Sequence, residues 1–202
     1  MERNKGFFTE VDEFLVARAR RGDLIALESL YEAFAEPVYT LGRRLCRSRE
    51  EADEVLQETF LEVVRSIRSF RGSGAFGAWI RRIAVSKALT ALRRRRRGGV
   101  EVLGSDHLGL EAVPATVSNQ SWRRVDLERA LARLPDDSRA VVWLHDVEGL
   151  THAEIGSLFG RSTSFSKSQL ARAHAKLRSW LGLGGGSSHA SEHGRTAGTQ
   201  GR

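Results

Sequence analysis

Positively charged side chains, and not candidate nucleophiles or metal ligands, dominate the residues that could do chemistry in this chain. Residues 63–97 hold eleven Lys and Arg and no Asp or Glu, and residues 161–178 hold five and none. Guanidinium and ammonium groups at this density bind the phosphates of nucleic acids. The two basic segments therefore predict two separate contacts with nucleic acid, with ordinary solvated helix faces as the alternative.

The first basic segment also carries aromatic residues. Phe70, Phe76 and Trp79 flank a glycine-rich loop that precedes the cations. An unpaired base needs an aromatic face or an apolar pocket to replace its stacking neighbours, while cations attract the phosphates. The segment therefore indicates binding to unpaired DNA. The helical spacing of Trp79 and Ile83 favours core packing for the tryptophan itself, so the loop at 71–75 is the better candidate for base contact.

The second basic segment has the pattern of a helix-turn-helix. Thr151 and Glu154 have capping-box spacing before a short helix, Gly160 ends that helix, and a longer helix is predicted from about Thr163 to Leu181. In this motif the second helix enters the major groove, and its N-terminal residues meet phosphates or base edges. A plain helical hairpin with a solvated basic face is the alternative.

Catalytic and metal-binding chemistry finds little support. The single cysteine, Cys46, follows an apolar residue and is expected to be a buried thiol. His145, His152 and His174 fall on separate predicted helices without carboxylate or cysteine clusters at ligand spacing. We therefore expect no enzyme activity, no metal and no cofactor.

Helices must position these residues, because apolar residues recur at helical spacing and strand patterns are scarce. Four helices are predicted between residues 10 and 97. Asp23 caps the first, Pro37 kinks or interrupts it before a second, Ser48 and Glu51 open a third, and a fourth begins near Phe76. The fold class predicted is all-α, with two small helical domains joined by a flexible linker.

Length and composition agree with this organisation. The chain has 202 residues, of which 41% are hydrophobic, and it has no apolar run long enough to cross a membrane. A cytoplasmic protein is therefore expected, without membrane insertion. We place a first domain at 1–97, a linker at 98–120, a second domain at 121–181 and a disordered tail at 182–202.

Three sequence stretches resemble the RNA polymerase sigma factors of the extracytoplasmic-function (ECF) branch. SREEADEVLQETFLEVV is similar to the acidic helix of sigma region two, and FGAWIRRIAVSKALTALRRRRR is similar to the helix that recognises and melts the −10 element. ALARLPDDSRAVVWLHDVEGLTHAEIGSLFG is similar to region four. The resemblance implies a factor that binds core RNA polymerase and directs promoter-specific transcription initiation.

The resemblance also implies partners and site residues. The partners are core RNA polymerase, promoter DNA as a −35 duplex and an unpaired −10 strand, and an anti-sigma factor. The acidic face expected to meet the polymerase consists of Asp53, Glu54, Gln57, Glu58 and Phe60. The expected −10 residues are Arg71, Ser73, Phe76, Trp79, Arg81, Arg82, Ser86, Lys87, Arg93 and Arg94. The expected −35 residues are Ser162, Thr163, Ser164, Phe165, Lys167, Ser168, Arg172 and Lys176.

The chain departs from the family pattern in both DNA-binding helices. Ser86 and Thr90 stand where the family usually has Asn and Asp, which could alter base preference or helix support. In the recognition helix, Ser166 replaces an apolar Val and Gln169 replaces an Arg, so Phe165 could serve as the apolar anchor. A polymerase-independent helix-turn-helix regulator is the rival function, with a first domain that dimerises or senses a ligand.

Overall fold

The computed structural model describes residues 6–46, 48–72, 76–97 and 119–182, and within these ranges the regular structure is helical. The predicted contact Ser73, most of the predicted linker (98–118) and most of the predicted tail (183–202) lie outside the described residues. The first module (6–97) contains a 3₁₀ turn at Gly6–Phe8, α1 (Glu13–Arg20), α2 (Leu24–Leu45), α3 (Arg49–Ser66), a 3₁₀ turn at Ile67–Ser69 and α4 (Phe76–Arg97). The second module (119–182) contains α5 (Asn119–Arg133), α6 (Asp136–Val142), a π-helical turn at Trp143–Val147, α7 (His152–Phe159) and α8 (Thr163–Trp180).

Helices α2, α3 and α4 pack around one apolar core in the first module. The side chains with no exposed surface include Leu30, Phe34 and Ile80, with Val55 of α3 only 2% exposed. The Ser48 hydroxyl accepts a hydrogen bond from the Glu51 amide at 3.0 Å, so α3 begins where its capping residues predict. The core fixes the orientation of the two functional helices, α3 and α4.

Two features of this module differ from the sequence-based expectation. The helix α1 was not among the four predicted, although Asp12 caps it and Val16 and Ala19 lie in the core. Pro37 does not interrupt α2, which runs unbroken from Leu24 to Leu45. Proline removes one backbone donor, but the apolar residues on both sides of it are buried, and this packing holds the helix together across it.

The second module has a smaller core around Leu134, Leu144, Ile155 and Ala173, each with no exposed surface. Val147 is apolar but 54% exposed. The π-helical turn accounts for this exposure, because a wider turn advances each residue less around the axis and moves Val147 off the buried face. Leu127 of α5 is also exposed, at 42%.

The two modules contact each other directly. The buried guanidinium of Arg139 in α6 donates a hydrogen bond from Nη2 to the Leu45 carbonyl at the end of α2, at 2.9 Å. Arg44 of α2 pairs with Glu128 of α5 at 3.2 Å. The arrangement therefore differs from two modules separated along a tether. None of the helices in the described ranges combines the length and apolar character needed to cross a bilayer.

Candidate nucleic-acid and protein interfaces

The helix-turn-helix is formed by α7 and α8. Thr151 and Glu154 make both bonds of a capping box, with the Thr151 amide donating to the Glu154 carboxylate at 2.8 Å. Gly160 ends α7 with φ +62°, a left-handed conformation that glycine adopts without strain. Ser162 then caps α8 by accepting a hydrogen bond from the Phe165 amide at 3.3 Å. The predicted capping box of α7 is therefore present, and Ser162 adds a cap to α8.

The first turns of α8 present polar and basic side chains to solvent. Backbone amides at a helix N-terminus, together with the helix dipole, attract phosphate groups. Among the described residues, none of Lys167, Lys176 and Arg178 makes a salt bridge, and the Arg172 guanidinium bonds only to the Ser168 carbonyl of its own helix, at 3.2 Å. The predicted −35 residues on the surface are Ser162, Thr163, Ser164, Lys167, Ser168, Arg172 and Lys176.

Three residues of α8 face the protein instead. Phe165 is half-buried, with its ring centroid 5.5 Å from that of Phe159 in α7. Ser166 has no exposed surface, and its hydroxyl lies 3.0 Å from Nδ1 of His152. The Ser138 hydroxyl donates to the Gln169 side-chain oxygen at 2.8 Å. These contacts fix the rotation of α8 about its axis and leave the basic residues outward.

A histidine cluster lies beside this helix, which corrects the expectation that the three histidines are separate and lack a matching carboxylate. Asp146 contacts His145 at 2.9 Å and His174 at 2.7 Å, and the His152 ring stacks on His145 with centroids 4.5 Å apart. The chain fold, and not sequence spacing, brings them together. No group of three or more His, Cys, Asp or Glu in the described parts of the chain is arranged to hold a metal ion.

Hydrogen bonding and burial shift pKa values in this cluster. Partial burial raises the pKa of Asp146, but the bonds from His145 and His174 outweigh it, so its pKa lies below the usual aspartate value. Desolvation, with the charges of His145 and Lys167, lowers the pKa of His152 below its usual value. Both shifts favour a cluster with an ionised Asp146 and a neutral His152 near neutral pH.

The basic helix α4 divides its polar residues between two sides. Arg82, Ser86 and Thr90 recur every four residues and are exposed, and the Thr90 hydroxyl donates to the Ser86 carbonyl at 2.9 Å. Trp79 and Phe76 belong to the aromatic cluster of the core: Phe76 is only 7% exposed, and its centroid is 5.4 Å from that of the half-buried Trp79. Phe76 therefore supports the helix and does not present a face to a base.

Several other polar residues of α4 have protein partners. Arg81 donates to the Glu148 carbonyl at 2.6 Å, Arg93 donates to the Leu158 carbonyl at 2.7 Å, and Lys87 pairs with Glu62 at 3.4 Å. Arg94 pairs with Glu54 of α3. The predicted −10 residues are thus not all presented together, and Arg71 is exposed at the start of the loop that precedes α4.

The acidic residues of α3 lie along one exposed side of the first module. Asp53 and Gln57 are exposed, whereas Glu54 and Glu58 are half-exposed. Phe60 is half-buried, with its ring edge against Tyr31 of α2 at a centroid distance of 4.7 Å. Leu61 and Val64 on the same helix are 53% and 54% exposed. A face that mixes carboxylates with exposed apolar groups suits another protein better than it suits DNA.

Comparison with known proteins assigns the family. The protein family described as "Sigma-70 region 2" matches residues 30–98, and the family described as "Sigma-70, region 4" matches residues 124–177. The ECF RNA polymerase sigma factor SigE of Mycolicibacterium smegmatis is 34% identical over 182 residues, covering 87% of this chain and 68% of that protein. The chain belongs to the ECF RNA polymerase sigma factors. SigM of Mycobacterium tuberculosis is 32% identical, with 85% of each chain covered.

Two solved structures share the fold of this sigma factor. CnrH, in complex with the cytosolic domain of CnrY, has a TM-score of 0.53 and 24% identity, covering 86% of this chain and 99% of that chain. RpoE of Bartonella quintana, in complex with the anti-sigma factor NepR, has a TM-score of 0.57 and 16% identity, covering 83% and 99%. These matches confirm the predicted all-α fold class.

Membership of the family also decides between the functions that the sequence left open. Sigma factors are initiation factors and not enzymes, so the predicted absence of catalysis fits the family. The polymerase-independent regulator is not favoured, because both sigma regions match in the expected order.

The single cysteine, Cys46, is not a reactive thiol. It is buried, and burial raises the pKa of its thiol to about 12, so the thiolate does not form near neutral pH.

The structure gives a physical account of the unusual recognition helix of this sigma factor. Ser166, where the family usually has Val, is accommodated in the buried position because His152 supplies a hydrogen-bond partner. Gln169, where the family usually has Arg, bonds to Ser138 inside the second module. Phe165 packs on Phe159 as the apolar anchor. Sequence alone could not find these partners, because they come from α6 and α7.

Proposed function

We propose that this sigma factor directs core RNA polymerase to promoters by dividing the task among three surfaces. The exposed side of α3 docks on the polymerase, with Asp53 and Gln57 at its centre. The first module, within 1–97, recognises and melts the −10 element, and the second, within 121–181, binds the −35 duplex. No covalent step is involved: binding free energy offsets an unstacking cost of about a few kcal/mol per base step.

The exposed start of α8 is the observation that carries the −35 assignment. Lys167 and Arg172 lie outside the internal hydrogen-bond network that holds Ser166 and Gln169. Their charges are therefore available to phosphates or to the acceptor atoms of guanine in the major groove. The atypical residues face inward, so sequence recognition falls to Ser162, Thr163, Ser164, Lys167, Ser168, Arg172 and Lys176.

On α4, the exposed row of Arg82, Ser86 and Thr90 supports contact with the −10 strand. Ser86 and Thr90 are short hydroxyl side chains where the family has longer polar ones, so we expect a base preference different from the family's common one. The exposed Arg71, with Ser73 beside it in the chain, is proposed to meet an unpaired base. Phe76 and Trp79 take a supporting role beneath this surface.

Location and further partners follow from the family. Because RNA polymerase works in the bacterial cytoplasm, we propose a cytoplasmic location for this protein. An anti-sigma factor is a proposed partner, supported by RpoE of Bartonella quintana, a sigma factor of similar fold that was solved in complex with the anti-sigma factor NepR. The intervening residues 98–120 are proposed to act as a linker that lets the polymerase set the distance between the two modules.

Run-off transcription with core polymerase and a genomic promoter library tests the proposal. We expect transcripts that depend on this chain. Arg172→Ala should lower occupancy of the −35 element about tenfold, because one arginine contact to a base contributes about 1–3 kcal/mol. Arg178→Ala, near the other end of α8, is the matched control and should change occupancy less than about twofold.

The docking surface requires a separate measurement. Asp53→Asn combined with Gln57→Ala should weaken binding to core polymerase, measured by the titration that yields holoenzyme. Asp126→Asn, at an exposed position of α5 away from α3, provides a control with the same change of one charge. If no transcript depends on the chain, the function is wrong. If transcription persists but the α3 variant binds normally, only that surface is wrongly assigned.

A further inference from the structure

Polar contacts at two levels hold α8 against the rest of its module. Near the start of the helix, the buried Ser166 hydroxyl lies 3.0 Å from Nδ1 of His152 in α7. About two turns further along, Nε2 of His174 lies 2.7 Å from the Asp146 carboxylate in the π-helical turn. The two levels are about 12 Å apart along the axis, so together the contacts restrain both the rotation and the tilt of α8.

The same residues form one continuous cluster. Asp146 contacts Nδ1 of His145 at 2.9 Å, and the His145 ring stacks on the His152 ring with an angle of 20° between their planes. The histidine cluster therefore connects Ser166 at the start of α8 with His174 in its second half. The Asp146 side chain is 35% exposed and the His174 side chain 37%, so protons from solvent reach the cluster.

The rotation of α8 decides where its outward side chains meet DNA. A helix with its side chains has a radius of about 5–6 Å, so a rotation of about 20° moves a side-chain tip by about 2 Å. Hydrogen bonds to base edges tolerate much smaller displacements, whereas the attraction between cations and phosphates acts over a longer distance. A loosened cluster should therefore impair the ability of Lys167 and Arg172 to distinguish bases far more than their attraction to DNA.

We infer that His152 and Asp146 are positioning residues for −35 recognition, which hold α8 at the rotation in which its exposed side chains match the base edges. His152 acts through Ser166 and Asp146 acts through His174, so neither needs to touch DNA. The inference rests on the proposed −35 function of α8 and adds the residues that set its accuracy. It also gives the atypical Ser166 a use, because an apolar residue there could make no hydrogen bond to His152.

Protonation of His152 opposes this arrangement. Burial lowers the pKa of His152, and the charges of His145 and Lys167 lower it by more than that of Asp146 raises it. Once charged, the ring is repelled by His145 and Lys167 and attracts water, which weakens its contact with Ser166. The titratable and charged groups at this end of α7 and on the elements packed against it are His145, Asp146, Glu154, Lys167 and, through their charges on Glu154, Arg81 and Arg82. Accurate −35 recognition should therefore decline as the pH falls below about 6.5.

The main test measures the accuracy of recognition by holoenzyme reconstituted with the full chain. Accuracy is the dissociation constant for a promoter fragment with a scrambled −35 element, divided by that for the intact fragment. Protonation of histidines strengthens binding to both fragments, and the ratio cancels this general effect. We expect the wild-type ratio to fall about three- to tenfold between about pH 7.5 and about pH 5.5, because one hydrogen bond of the cluster is lost.

The His152 variants distinguish a positioning role from a structural one. His152→Gln keeps a hydrogen-bonding side chain that does not titrate, so its ratio should stay near the neutral wild-type value at both pH values. His152→Ala removes the contact and should have a low ratio at both. Polymerase and DNA are the same in every measurement, so a difference in pH profile belongs to this residue.

Two further variants test the two anchors at about pH 7.5. Ser166→Ala should lower the ratio about threefold, and Asp146→Asn should lower it about twofold, because each weakens one restraint on α8. Ser179→Ala, at an exposed position near the end of α8, is the matched control and should change the ratio by less than about 1.5-fold. Circular dichroism at both pH values checks that each variant remains helical.

The inference is overturned if the wild-type ratio is equal at the two pH values, or if the ratio of His152→Gln falls as much as that of the wild type. Arg172→Ala at about pH 7.5 separates this result from the proposed function. A lowered ratio for Arg172→Ala beside a wild-type ratio that ignores pH keeps α8 as the −35 reader and removes only the positioning role. An Arg172→Ala ratio equal to that of the wild type overturns both.

Discussion

The two basic helices, α4 and α8, both lack acidic residues but differ in what their cations bind. Most cations of α4 are bonded to protein groups, including Arg81, Arg93 and Arg95, whereas Lys167 and Lys176 of α8 are exposed. The difference teaches that charge density identifies a surface capable of binding phosphate but does not show which ligand occupies it. Carbonyl and carboxylate groups of the second module bind several cations of α4, whereas no carboxylate among the described residues binds a Lys or Arg of α8.

A glycine allows a close backbone contact at the start of α4, and another allows one between α7 and the turn before α8. Replacing these glycines should give the largest loss of stability. A Cβ at Gly77, at the start of α4, would lie 2.0 Å from the carbonyl oxygen of Phe7, and one at Gly156, in α7, would lie 2.9 Å from that of Arg161. We expect Gly77→Ala to cost about 3 kcal/mol of unfolding free energy and Gly156→Ala about 1–2 kcal/mol. Urea denaturation of each variant measures both. An equal cost at the two positions would contradict the difference in packing.

The comparison of charges is sharpened by removing one cation from each helix. Arg95→Ala removes the guanidinium that bridges Asp136 and Glu51 in a poorly exposed site, and we expect a loss of about 2 kcal/mol of unfolding free energy. Lys176→Ala removes an exposed charge and should alter stability by less than about 0.5 kcal/mol. Thermal denaturation at matched ionic strength provides the measurement. Similar melting temperatures for the two variants would show that the α4 pairs contribute nothing.

A smaller effect is expected from pH at the contact that orients α8. The folded state lowers the pKa of His152 below its ordinary value of 6.5, so the unfolded chain takes up the proton first. The contribution of His152 to folding stability is therefore fully present above pH 6.5 and declines as the pH falls below it. Asp146, His145 and Lys167 face this ring from the adjacent elements, and a substitution of His152 leaves them in place.

We expect the wild-type melting temperature to fall more than that of His152→Gln between about pH 7.5 and about pH 5.5, by a degree or two. Glutamine keeps the size and polarity needed to contact Ser166 but does not titrate. Differential scanning calorimetry at the two pH values gives the comparison. If the variant has the same pH dependence as the wild type, His152 does not carry this titration.

The sequence by itself determined the helices and the ends that short-range chemistry defines. Ser48, Thr151 and Ser162 cap helices within three residues of themselves, and Gly160 ends α7, so local sequence was sufficient for these elements. The sigma-factor resemblance was equally available, because its motifs are contiguous. The eight-residue helix α1 was missed, although its Asp12 cap was a usable signal.

Only the tertiary structure decided which charged and polar groups meet. Arg95 reaches Asp136 across 41 residues, Arg139 reaches Leu45 across 94, and His152 meets Ser166 across a turn. Such pairings depend on how the helix faces rotate and pack, and no periodicity in the chain encodes them. The sequence therefore established that two basic helices exist. Packing decided that most cations of α4 are bonded to other groups of the protein, whereas those of α8 face solvent.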